Sequence, residues 1–191
     1  EAIHSSLQQL GIQYVVAVDC GGDSITGGKD FTGDPKTGRD YQVLLALQTS
    51  GIPFMHVVMG PGCDGESEEE DMREKCLSTD GERREFVGSF PLVEPLLAKL
   101  HKQSEMLAPN RTTNIMYRAY HNEMDMETRE DGVDIVHIER HGNVGQIPRE
   151  WLFHGLAFRY NEPSDQNEDA PAEEASLPSA EQNVPNQLEN Q

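Results

Sequence analysis

Two short apolar runs, each ending in a turn rich in glycine and aspartate, constrain this chain most. Tyr14-Val15-Val16-Ala17-Val18 leads into Asp19-Cys20-Gly21-Gly22-Asp23-Ser24. Phe54-Met55-His56-Val57-Val58-Met59 leads into Gly60-Pro61-Gly62-Cys63-Asp64-Gly65-Glu66. Continuous β-branched runs of this kind suit strands buried on both faces, as in a parallel sheet. Between them, Tyr41, Val43, Leu44, Leu45 and Leu47 give residues 39–50 a broad apolar helical face, closed by Gly51. A first helix is expected over residues 2–10 through Ile3, Leu7 and Leu10, and a charged one over 66–78 with Ser67 as N-cap. Helix and strand alternate, and the connections are too long for hairpins. The pattern predicts an α/β fold: a Rossmann-like parallel sheet with flanking helices.

Further along, helices are expected over 91–102 and 113–124, and a strand over 133–138. Residues 148–158 read as a helix, with Pro148 near its start and Trp151, Leu152, Leu156 and Phe158 as its apolar set. Residues 161–191 hold eight acidic side chains and no Lys or Arg, and only Leu177, Val184 and Leu188 as larger apolar groups. Ordering costs about 1–2 kcal/mol per residue, more than such a segment recovers by burial. The expected division is an α/β domain over 1–160 and a disordered acidic tail over 161–191, either a docking segment for a basic protein partner or simply a solubilising extension.

The chain carries 34 acidic and 15 basic residues, a net charge of −19, and a mean hydropathy of −0.64. That balance argues against nucleic acid and anionic membranes as partners, since both need clustered Lys and Arg. A small-molecule ligand or a cation fits better. Three cysteines, Cys20, Cys63 and Cys76, form no disulfide framework, which suits a reducing, cytoplasmic setting. No apolar run is long enough to span a membrane. A chain that starts at Glu1 is expected to be an excerpt or a processed product, which leaves room for a lost targeting segment. Asn110-Arg111-Thr112 matches a glycosylation acceptor, but only in a secretory context.

In a parallel α/β sheet, ligands bind beyond the carboxyl ends of the strands, where both glycine turns fall. Glycine allows a close backbone approach and leaves amide hydrogens for an anion, which makes Gly21, Gly22, Gly60, Gly62 and Gly65 candidate ligand-binding positions. Ser24 adds a neutral donor and acceptor. Asp19 and Asp23 are candidates for a ligand hydroxyl or for a hard cation such as Mg²⁺. Asp64 or Glu66 is the candidate general base, a role open to a carboxylate whose pKa burial has raised. Asp19, Asp23, Asp64 and Glu66 are expected to converge. The competing reading is that Gly and Asp merely form turns here. No Gly-Lys-Ser/Thr and no Gly-x-Gly-x-x-Gly opening a helix occurs, so ATP or NAD binding of the ordinary kinds is unsupported.

Four other sets of residues carry candidate chemistry. The long loop from Gly27 to Asp40 carries Lys29, Lys36 and Arg39, a lid with positive charge or a plain solvated loop. Asn114, Arg118, His121 and Asn122 share a helical face that would close the pocket or face solvent. His137 and His141 resemble a zinc-protease pair only superficially, because i and i+4 lie far apart on a strand. Cys20 and Cys63 sit at matching turns, but a zinc site needs two more ligands and a catalytic thiol needs a base, so buried turn residues are the better reading.

Residues 18–24, the helix at 41–47 and residues 58–66 together resemble a family known as domain of unknown function 1152, with its Asp-x-Gly-Gly-Asp and Gly-x-Gly-x-Asp-Gly-Glu motifs. The resemblance is clearest over residues 7–77, extends to about 160 and is lost in the tail. It implies that this chain is the carboxyl-terminal half of a longer domain whose other half has its own glycine turn. The insert at residues 30–38 is longer than the acidic turn the family implies. No activity comes with the resemblance.

The leading expectation is an enzyme of transfer or hydrolysis acting on a nucleotide-like or phosphorylated small metabolite. The alternatives are a non-catalytic ligand-binding or regulatory module, and an interaction protein working through its acidic tail.

Overall fold

A computed structural model of the chain describes residues 2–27, 38–77, 84–105, 112–140 and 143–160. The Lys29–Lys36 part of the loop, His141 and the tail lie outside them, as do the side chains of Arg39 and Cys76.

The described elements form a mixed α/β fold with two sheets. Helix α1 (Ala2–Gln9) leads to β1 (Val15–Cys20), a single turn α2 (Asp23–Thr26), α3 (Arg39–Gln48) and β2 (Phe54–Met59). Then come α4 (Glu69–Leu77), β3 (Arg84–Pro91), α5 (Glu94–Glu105) and α6 (Thr112–Tyr120). A small meander of β4 (Met126–Thr128), β5 (Asp134–Arg140) and β6 (Asn143–Pro148) follows, then a 3₁₀ turn over Arg149–Phe153 and β7 (His154–Tyr160).

The larger sheet has the order β1-β2-β7-β3. β1 and β2 run parallel, with Val15 opposite Phe54 and Asp19 opposite Val58. β7 runs antiparallel to both β2 and β3. The sheet is therefore mixed, and the expected all-parallel arrangement holds only for its first pair. The helix expected over 148–158 is corrected too. Trp151 and Leu152 sit in the 3₁₀ turn, whereas Leu156 and Phe158 alternate into the core from β7. The second sheet, β4-β5-β6, is antiparallel throughout.

Strand register decides which side chains meet. Ala17, Asp19, Phe54, His56, Val58, Leu156 and Phe158 share the inner face. At one end Phe54 packs with Leu44 and Leu47 of α3 and Ile3 and Leu7 of α1. Toward the middle Val58, Leu156 and Phe158 join Val136, Ile138 and Ile147 of the second sheet and Leu97 and Met116 of α5 and α6. Each such apolar side chain contributes about 1.5–3 kcal/mol on burial. The outer face, with Val16, Val18, Met55 and Val57, has no such cover: Val16 is 55% and Val18 56% exposed. Burial of β1 on both faces, expected from its composition, does not occur among the described residues.

Candidate functional site

Asp19 is the penultimate residue of β1, and its inner-face register places that carboxylate opposite Val58. The backbone then turns through Gly21 and Gly22 at φ 129° and 113°, values that an L side chain rarely adopts. Space excludes side chains here as well. A Cβ on Gly21 would lie 2.0 Å from Asp64 Oδ2, and one on Gly22 would lie 2.9 Å from Met72 Sδ. The turn after β2 meets this one directly, as the Gly62 N–H donates to the Gly21 carbonyl at 2.5 Å. The two strand-end turns are thus one structure, as the parallel reading of β1 and β2 required.

Three carboxylates gather at this junction. Asp19 at the end of β1, Asp23 at the start of α2 and Asp40 in the first turn of α3 each place an oxygen within 4.8 Å of the others. Desolvation pushes the Asp23 carboxyl up to about 8, with the charges of Asp19, Asp64, Asp40 and Glu66 adding to it. Burial also raises Asp19, against the pull of the Ser24 hydroxyl. Asp64 is pushed up to about 7, again mainly by burial. Its Oδ1 accepts from the Glu66 N–H at 3.0 Å. The Asp23 backbone N–H also favours the charged form of this carboxylate, whose Oδ2 is buried without a hydrogen-bond partner.

Beneath the carboxylates lies a polar thread. The Ser24 hydroxyl, buried in α2, donates to Asp19 Oδ2 and lies 3.1 Å from His56 Nε2. Burial lowers the His56 pKa to about 4, with the nearby Arg84 charge assisting, so the ring is neutral at pH 7. With Asp19 ionised, the consistent arrangement is Nε2–H donating to Ser24 and Ser24 donating to Asp19. His56 Nδ1 is then a buried acceptor with no partner.

Asp19, Asp23, Ser24 and Asp64 are brought together, and Glu66 stands near enough for its charge to act on Asp23 and Asp64. The glycines meet there too, but their amides are mostly committed. Gly21 N–H donates to Met59, Gly60 to His154, Gly62 to Gly21 and Gly65 to Gly62. An open cradle of amides for an anion does not form at these four positions. Glycine is needed there for close packing instead: a Cβ on Gly60 would meet Met116 Sδ at 2.5 Å, and one on Gly62 would meet Ile147 at 2.4 Å.

The polar face of α6 lies in another layer. Asn114 is buried with its Oδ1 2.7 Å from His101 Nδ1, Arg118 donates to the Glu123 carbonyl, and His121 packs on Tyr117 and Tyr120. These partners engage the face within α5, α6 and the turn that follows. Ser67 caps no helix; its hydroxyl bonds Thr26 at 2.7 Å, and α4 starts two residues later. Cys20 pairs with Met59 across β1 and β2 and packs against the main core, and burial with the Asp19 charge pushes its thiol up to about 11, while Cys63 is fully buried. Neither is an activated nucleophile. His137 on β5 faces Glu127 at 3.6 Å.

Sequence reasoning missed Asp40 and His56. His56 carried a signal, a single polar side chain inside an otherwise apolar strand. Asp40 carried none beyond its place after the glycine-rich loop, and only tertiary packing brings α3 onto the β1 turn.

The sequence model of a family described as "Protein of unknown function (DUF1152)" matches residues 1–138. The chain belongs to the DUF1152 family. The match spans both glycine turns, the three clustered carboxylates and His56, so the whole junction lies within the DUF1152 region. No curated protein and no solved structure shows significant similarity to the chain.

Proposed function

We propose that this DUF1152 protein is an enzyme of group transfer or hydrolysis acting on a phosphorylated small metabolite, bound in the Rossmann-like manner beyond the carboxyl ends of β1 and β2. The observation that carries the reading is Asp64. Its Oδ2 is buried and unpartnered at the junction of the two turns, beside Asp19 and Asp23. An unsatisfied buried acceptor is costly, and such costs persist where function uses them. In this role Asp64 takes the proton of a water or acceptor hydroxyl as its oxygen attacks phosphorus, and the leaving oxygen departs with its bonding electrons. Burial and the neighbouring carboxylates suit Asp64 to that work near neutral pH. Because the turn amides are largely committed, the positive charge that a phosphate needs has to come from a cation or from a basic side chain.

A panel of nucleotides and sugar phosphates, with and without Mg²⁺, tests the reading through product release and thermal shift. A panel member at 100 times its Kd adds about 2.7 kcal/mol of stability. Asp64→Asn is expected to keep that stabilisation and to lose about 100-fold or more in turnover. Undiminished turnover in Asp64→Asn, or a panel in which nothing binds, overturns it. Stabilisation without product identifies a non-catalytic binding module instead.

A further inference from the structure

We propose that Asp19, Asp23 and Asp40 form a site for one hard divalent cation of the Mg²⁺ or Ca²⁺ class, filled before any substrate arrives. The inference rests on the same junction as the functional reading, but it concerns the protein's own ligands and stands or falls on cation binding alone.

The geometry is the first argument. Two oxygens on one ion are separated by at most twice the metal–oxygen distance, about 4.2 Å for Mg²⁺ and about 5 Å for Ca²⁺. The three carboxylates offer oxygens within 4.8 Å of one another, inside the Ca²⁺ limit and a small side-chain adjustment from the Mg²⁺ one. They come from three elements, the end of β1, the start of α2 and the first turn of α3, so an ion would tie those elements together.

Charge is the second argument. Asp19, Asp23 and Asp40 crowd one another, and Asp64 and Glu66 add to the field on Asp23. The leading charge contributions on Asp19, Asp23 and Asp64 all come from other carboxylates. Partly buried like charges this close call for a cation or for protons.

Asp64 is the third and independent observation. It is only 5% exposed, and its unpartnered Oδ2 fills the space where a Gly21 side chain would be, within electrostatic reach of Asp19 and Asp23. A water on the ion would satisfy it, and such a water is also the one that Asp64 would deprotonate. The Ser24 bond to Asp19, backed by His56, supplies the outer support that ligating carboxylates commonly have. An all-oxygen set selects hard cations.

The test is titration of the chelator-stripped full chain with Mn²⁺, read by electron paramagnetic resonance and calorimetry, with Mg²⁺ and Ca²⁺ as competitors. One site is expected. Asp19→Asn and Asp40→Asn should each weaken it about tenfold or more. Ser24→Ala should weaken it by about 10–100-fold and Ser24→Thr far less, the mark of an outer-shell partner. Asp131→Asn, on an exposed turn away from the junction, should leave it unchanged. Metal-free melting curves of every variant confirm folding. Absence of binding at millimolar Mn²⁺, Mg²⁺ and Ca²⁺, or unchanged affinity in Asp40→Asn, overturns the proposal. Cation binding without turnover of any phosphorylated compound overturns the functional reading alone. Turnover that survives chelation in a chain that binds no Mn²⁺, Mg²⁺ or Ca²⁺ overturns the cation site alone.

Discussion

Asp23 and His56 titrate in opposite directions, and together they set how the metal-free protein answers pH. Asp23, raised to about 8, and Asp64, raised to about 7, hold protons in the folded state that they lose when unfolded. Their contribution is full below about pH 4 and falls as pH rises through 7 and 8. His56, lowered to about 4, is neutral when folded, so its contribution is full above about 6.5 and falls as pH drops from there toward 4. Between 4 and 6.5 the two effects oppose each other. Between 6.5 and 8, of these groups only the carboxylates act, so their contribution to metal-free stability should fall with rising pH, by at most about 1.4 kcal/mol per unit for each proton. Asp23→Asn should flatten that fall, and urea melts at pH 6.5 and 8 measure it. A stability that is constant or rising over this range would remove the shifted carboxylates from the account.

The β1 and β2 turns act as one element, held by the Gly62-to-Gly21 hydrogen bond and by glycines where no side chain fits. Gly21→Ala combines a φ of 129° with a Cβ that would displace Asp64 Oδ2. It should cost about 1–3 kcal/mol and remove Asp64 from its place, so cation affinity and turnover should fall together. Gly132→Ala, also at positive φ but with nothing within 4 Å of its Cβ, isolates the backbone part of that cost. In β7, Phe158 is fully buried against Phe86, His56 and Arg84, and Phe158→Ala should cost about 3–5 kcal/mol by denaturant melting. The helix expected there failed for a physical reason. Apolar residues at 152, 156 and 158 satisfy either period, and only pairing with the distant strands β2 and β3, as in Val58 with Leu156 and Phe86 with Phe158, selects the strand.

Across the whole molecule, packing is one-sided. The inner face of the larger sheet carries the core, while Val16 and Val18 stand more than half exposed on the other. Val18→Thr should therefore change stability by less than about 0.5 kcal/mol, although its strand reads as core from composition. A loss of several kcal/mol would mean that this face is covered. Among the described residues no helix is long and apolar enough to cross a membrane.

The sequence by itself determined the parallel β1–β2 pair, the position of both turns at its carboxyl end, and Asp19, Asp23 and Asp64 as the groups that meet there. Those features are local: an apolar run, a glycine that alone tolerates the turn, and a carboxylate just past the strand. Only the tertiary structure decided that β7 enters the sheet antiparallel, that α3 carries Asp40 onto the junction and that His56 backs Ser24. It also committed the glycine amides to the backbone. Each of these depends on contacts between segments far apart in the chain, whose register no local pattern encodes.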